Sequence, residues 1–113
     1  MYKLAIDASS GDLGSSIVVK ACQNFVKEYQ DTYLYVTGKI DELKSLEGLP
    51  NVEIVEANDV LGMTESIMAV RRKKDSSMVK AVTLAREDKA DAVVSCGSTG
   101  AFYASAMLFL KRL

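Results

Sequence analysis

The chain has 113 residues, 49% of them hydrophobic, and its 14 basic and 15 acidic residues leave a formal net charge of −1. This is the size of one domain with ample material for a packed core, which excludes a disordered tail, and the balanced charge excludes a general pull toward nucleic acid or acidic membranes. There is no histidine, so a Ser-His-Asp or Cys-His catalytic pair and any histidine-ligated metal site are excluded within these residues.

Leu4-Ala5-Ile6-Asp7 is a short apolar run bounded by Ser9-Ser10-Gly11-Asp12-Leu13-Gly14, which reads as a strand followed by a loop. Ile17, Val18, Ala21, Cys22, Phe25, Val26 and Tyr29 then recur at three-to-four spacing, predicting an amphipathic helix with Ser15 or Ser16 available as its N-cap. Tyr33-Leu34-Tyr35-Val36-Thr37 is aromatic and β-branched and stops at Gly38, so a second strand is expected. A short helix is predicted over Ile40 to Leu46, and Pro50 marks the turn before a third strand, Val52-Glu53-Ile54-Val55.

Glu65 to Arg72 has helical spacing, which Arg71-Arg72-Lys73-Lys74-Asp75-Ser76-Ser77 interrupts. A new helix is predicted with Met78, Val79, Ala81, Val82 and Ala85 inward. Ala92-Val93-Val94-Ser95 reads as a fourth strand covered on both faces. Gly97-Ser98-Thr99-Gly100 follows it, and a last apolar helix is expected from Ala101 onward. Strands alternating with helices predict an α/β fold: a three-layer αβα unit with a mainly parallel sheet. The whole chain, 1–113, reads as a single α/β domain; its final apolar residues suggest either the N-terminal part of a longer chain or a chain whose missing half a partner supplies.

Cys22 and Cys96 form no C-x-x-C pair and are expected as reduced, packed thiols. The N-terminus meets Asp7 before a signal core could form, and no apolar run reaches the ~20 residues of a spanning helix. A cytoplasmic location is the expectation, with peripheral membrane contact left open.

Ligands of parallel sheets bind beyond the C-terminal strand ends. Two loops there, Asp7 to Gly14 and Ser95 to Gly100, carry glycines that let backbone amides approach a ligand, and each precedes a helix N-terminus suited to an oxyanion. Neither loop has the Gly-x-Gly-x-x-Gly or Gly-Lys-hydroxyl pattern of nucleotide sites. Arg71 to Lys74 place four of the 14 basic residues together, immediately before the hydroxyls Ser76 and Ser77. Cations followed by hydroxyls and free amides form an oxyanion cradle. A solvated helix end is the plain alternative for such a charge run.

These residues carry a family resemblance. Arg71-Arg72-Lys73-Lys74-Asp75-Ser76-Ser77-Met78 resembles the R-R-K-K-[ND]-S-S-M block of PlsX-type phosphate acyltransferases. Ile6-Asp7-Ala8-Ser9-Ser10-Gly11-Asp12 is similar to that family's [IV]-D-A-M-G-G-D start, and Ala90 to Ala101 to its A-D-A-x-x-S-A-G-N-T-G-A block. The order and spacing agree. Ser9, Ser10, Leu13, Ser15 and Ser98 stand where the family usually has Met, Gly, His, Pro and Asn.

The resemblance implies an enzyme that transfers a fatty acyl group from acyl carrier protein to inorganic phosphate, giving acyl phosphate for phospholipid synthesis. It also implies a homodimer with a fold akin to isocitrate dehydrogenase and phosphotransacetylase. No cofactor or metal is expected. On this reading Lys74, Ser76, Ser77, Gly97, Ser98 and Thr99 hold phosphate. Lys74 and Asp12 are the catalytic candidates, with Asp12 orienting a lysine. Asp7, Gly11, Arg72 and Lys73 face the remaining substrate. Asp7 is equally suited to capping loop amides, and Thr99 to capping the last helix. Cys96 stands where the family usually has alanine and reads as a packing residue. Two other classes compete: an inactive anion- or nucleotide-sensing module of the same fold, and a nucleic-acid module using Arg71 to Lys74.

Overall fold

A computed structural model describes residues 2–9, 15–58 and 75–95. Strands β1 (Tyr2–Asp7), β2 (Thr32–Gly38), β3 (Val52–Glu56) and β4 (Ala92–Ser95) form an all-parallel sheet in the order β3-β2-β1-β4. Helix α1 (Ser15–Glu28) connects β1 to β2, and helix α2 (Ser77–Arg86) precedes β4. The expected parallel α/β architecture is therefore present. The predicted helices at Glu65 to Arg72 and from Ala101 onward lie outside the described residues.

The side-chain period of two sorts each strand between two apolar layers. Leu34 and Val36, with Leu4, Ile6, Val52 and Ile54, pack against Val18, Val19, Cys22 and Val26 of α1. Ala5, Tyr35, Val55 and Val93 point the other way, onto Ala81 and Leu84 of α2. Helices on both faces bury the middle of β1 and β2, whereas β4, expected to be covered on both faces, leaves Ala92 and Val94 exposed because α1 packs over β1 and β2 and not over this edge strand. The same parity carries Asp7 and Thr37 onto the α2 face, where each is at most 1% exposed.

Helix α2 begins where the sequence supplies a cap: Ser76 Oγ accepts the Val79 N–H at 3.2 Å. It stops at Glu87, and Asp88 follows at φ +60°, a left-handed conformation that a short polar side chain tolerates. Ser15 and Ser16 both lie inside the first turn of α1 rather than ahead of it. Ile40 to Leu46 is not one α-helix but two 3₁₀ turns, Ile40–Glu42 and Lys44–Leu46. Leu43 and Leu46, both fully buried, are three apart, and a three-residue turn aligns them on one side. Gly48, at φ +82°, then ends the segment.

At the C-terminal end of β2, the chain runs too close to Ala8-Ser9 for a side chain. A Cβ on Gly38 would sit 2.7 Å from Ser9 Oγ and 3.2 Å from Leu43 Cδ1. Ser9 Oγ is itself buried and has no hydrogen-bond partner among the described residues. It stands at a position where the family pattern has methionine.

Gly38→Ala should lower stability by about 1–3 kcal/mol, the usual cost of overpacking, read as a lower urea midpoint. Ser9→Ala should be neutral or stabilising by about 1 kcal/mol, because it removes an unsatisfied hydroxyl, and should shrink the cost of Gly38→Ala in the double variant. Burial pushes the Cys22 thiol up to about 11. In a Cys96→Ala background, iodoacetamide near neutral pH should therefore label Cys22 only after unfolding, as mass spectrometry would show.

Candidate functional site

The strand order contains one reversal. From β1 the chain builds outward through β2 to β3, then crosses back to place β4 on the other side of β1. The crevice at the C-terminal ends of β1 and β4 is therefore the topological switch point, where the two flanking connections diverge and ligands have room. Asp7 and Ser95, the last residues of these strands, are in register there, and Thr37 is in register with Asp7 on its other side.

The Asp7 carboxylate is the hub. Its Oδ1 accepts the Ser77 hydroxyl at 2.5 Å and the Ser9 N–H at 3.3 Å, and its Oδ2 accepts the Ser95 hydroxyl at 2.8 Å. The Thr37 hydroxyl donates to the Ser77 carbonyl at 2.7 Å and lies 3.3 Å from the Ile6 carbonyl. A buried carboxylate is tolerated only with such donors. One acidic side chain thus ties together the end of β1, the end of β4, the start of α2 and the loop that follows β1.

A second anchor stands on the surface side of the α2 start. Asp75 pairs with Lys80 at 3.0 Å and accepts the Asn58 N–H at 3.2 Å, while Lys80 also donates to the Glu56 carbonyl at 2.9 Å. The Lys80 ammonium, and next the Asn58 amide, hold the Asp75 carboxyl below its ordinary value. The residue that follows the four-cation run is thereby fastened to the end of β3.

Of the residues singled out from sequence, Asp7, Ser76 and Ser77 are described, and they meet at one place. Ser76 and Ser77 are fully buried. The Ser76 hydroxyl caps α2 and the Ser77 hydroxyl holds Asp7. Asp7 accepts a loop amide two residues on, the geometry of an Asx turn. Gly11, Asp12, Arg72, Lys73, Lys74, Gly97, Ser98 and Thr99 lie outside the described residues. Lys74 is three residues before Ser77, and Gly97 two after Ser95, so both loops issue from the described network. Thr37 and Ser95 were missed by sequence reasoning. The available signal was a hydroxyl at or near the last position of an otherwise apolar strand, with the same parity as Asp7. Among the described residues no group of three or more His, Cys, Asp or Glu side chains could hold a metal ion.

Compared with known protein families, residues 2–113 match the family described as fatty acid synthesis protein. The chain belongs to this family. Several curated relatives in it are named phosphate acyltransferase. That of Clostridium botulinum is 44% identical over 116 aligned residues, which cover 97% of this chain and 35% of the relative. That of Mesoplasma florum is 39% identical over 118 residues, covering 100% of this chain and 36% of its own length. The chain thus spans little more than a third of the curated relatives it matches. The resemblance carried by the three sequence blocks is confirmed. Among the described residues no helix is long and apolar enough to cross a membrane.

Ser77→Ala should cost about 1–3 kcal/mol, since it leaves buried Asp7 short of a donor. Ser95→Ala should cost less, and the double variant should depart from additivity because both hydroxyls serve one carboxylate. Thermal melts of the single and double variants provide the comparison. At Asp75 the folded carboxyl has the lower pKa, so its contribution is complete above about pH 4 and fades as pH falls through the folded value. Urea midpoints for Asp75→Asn should consequently fall less steeply with acid than those of the parent.

Proposed function

We propose that this chain contributes the phosphate-binding part of an acyltransferase that moves a fatty acyl group from acyl carrier protein to inorganic phosphate. The observation that carries the reading is the convergence of Asp7, Ser77 and Ser95 at the switch point. Family membership and the printed name of the relatives support the reaction class.

The chemistry needs no histidine. Phosphate is already an oxyanion near neutral pH. One of its oxygens attacks the thioester carbonyl, a tetrahedral oxyanion forms, and the carbon–sulfur bond breaks. The sulfur leaves with the electron pair and takes a proton from solvent. The protein must hold the two reactants in line, which can supply up to ~7–11 kcal/mol of barrier reduction. It must also offer donors to the developing oxyanion, each worth ~3–4 kcal/mol.

In this scheme Lys74, the amides of Gly97, Ser98 and Thr99, and the N-terminal end of α2 at Ser76 and Ser77 receive phosphate. Asp7 positions Ser77 and the loop running to Gly11. Asp12 orients a lysine. Arg72 and Lys73 face the acidic carrier protein or its prosthetic arm. The product feeds a later acyl transfer in phospholipid synthesis, and the working enzyme is a cytoplasmic homodimer that can approach the membrane surface. Electrostatics favours this assignment: cations gathered at Arg71 to Lys74 are wasted on a site without an anion, in a chain whose overall charge is −1.

The test is incubation of the full-length enzyme with acyl carrier protein thioester and phosphate, trapping acyl phosphate with hydroxylamine. Hydroxamate should form in proportion to phosphate. Lys74→Ala should raise the KM for phosphate tenfold or more, as expected on losing a charge-assisted contact of about 1.5–3 kcal/mol. An unchanged phosphate dependence removes Lys74 from the site, and absence of hydroxamate from the parent enzyme overturns the reaction.

A further inference from the structure

Ser95, Asp7 and Thr37 stand side by side in register across β4, β1 and β2. Two residues earlier on the same strands the row reads Val93, Ala5 and Tyr35, which belong to the apolar layer under α2. Asp7 and Ser77 already have parts in the phosphate scheme; Thr37 has none. Thr37 is fully buried, and a valine of the same shape would fill its place without a polar group to satisfy. The hydroxyl therefore needs a reason to be there.

That hydroxyl donates to the Ser77 carbonyl at 2.7 Å, with the Ile6 carbonyl farther off at 3.3 Å. The Ser77 carbonyl lies in the first turn of α2, where the Ala81 N–H of the helix itself reaches it. Thr37 is thus not rescuing an orphan acceptor. Its bond is a placement contact between β2 and the start of α2. Ser77 is gripped twice, by its hydroxyl through Asp7 on β1 and by its carbonyl through Thr37 on β2. One bond leaves a residue free to pivot about it; two bonds from neighbouring strands do not. The Ser77 carbonyl and the Met78 N–H also share one rigid peptide plane, so holding the oxygen sets the direction of that N–H.

We propose that Thr37 is a positioning residue for phosphate: it sets the α2 start against the ends of β1 and β2 and touches neither reactant. The inference rests on the acyl-transfer reading, which brings phosphate to the α2 start, and adds to it a residue outside the three sequence blocks. Placement matters there because a shift of about 1 Å can cost on the order of a hundredfold in rate.

The experiment follows phosphate in two ways on the full-length enzyme: hydroxamate formation against phosphate concentration, and the rise in melting temperature with inorganic phosphate alone. The variants are T37V, which keeps the shape and removes the donor, T37S, which keeps the donor, and V26A, which opens a cavity in the layer under α1 on the opposite face. T37V should raise the KM for phosphate about two- to tenfold, the range expected of one hydrogen bond. It should leave the KM for the thioester as in the parent and need correspondingly more phosphate for the same rise in Tm. T37S should restore both phosphate readouts. V26A should lower the melting temperature and leave the phosphate dependence alone. T37A supplies the same readouts should the valine variant fail to fold. An unchanged phosphate KM in T37V, an equal increase in V26A, or a T37S no better than T37V overturns the proposal. A parent that melts higher with phosphate but forms no hydroxamate sinks the reaction, and the melting series then decides for or against Thr37. A parent indifferent to phosphate in both measurements sinks the two readings together.

Discussion

A single buried carboxylate organises the described part of this protein. Asp7 ends β1 inside a parallel sheet, where an anion is tolerated only if its lone pairs are occupied. Ser77, Ser95 and the Ser9 amide occupy them, and each comes from a different direction in the fold. Because the donors arrive from the start of α2, the end of β4 and the loop after β1, meeting the electrostatic demand of Asp7 fixes the relative placement of three strand-end features. The site geometry is thus a by-product of keeping one charge solvated by protein. Thr37 extends the constraint to β2 by gripping the Ser77 carbonyl.

This arrangement also divides labour among the hydroxyls. Ser76 and Ser77 read, in sequence, as direct contacts to an anion. In the structure both residues are fully buried and their side chains are committed to a helix cap and to Asp7, so their hydroxyls are structural contacts. Anion binding by amides at a helix start, with cations held nearby, needs rigid placement more than extra side-chain donors. The Asp75–Lys80 pair fastens the residue that precedes α2 from outside.

Much of the fold was legible because the apolar periodicities are clean. The alternating strands, the three-to-four spacing of Val18, Cys22 and Val26, and the Ser76 cap each point to one local structure, and all are present. The segment around Leu43 and Leu46 misled because two buried leucines three apart fit either a short α-helix or successive 3₁₀ turns, and only the tight return at Gly48 decides between them. The site was legible in its motif residues but not in its wiring. Ser95 and Thr37 owe their roles to register with Asp7, and register across strands separated by some 30 and 88 residues has no local signature.

The pairing of β1 with β4 has a consequence for how the molecule comes into being. The amide of Lys3 is bonded to the Asp91 side chain and that of Asp91 to the Lys3 carbonyl, closing a loop of 88 residues. Contacts of such span form late and slowly. On the ribosome, β1 can pair with β2 once residue 37 has emerged, yet Asp7 must wait for Ser77 and Ser95. The hydrogen-bond shell of Asp7 is therefore complete only once α2 and β4 have both docked against β1.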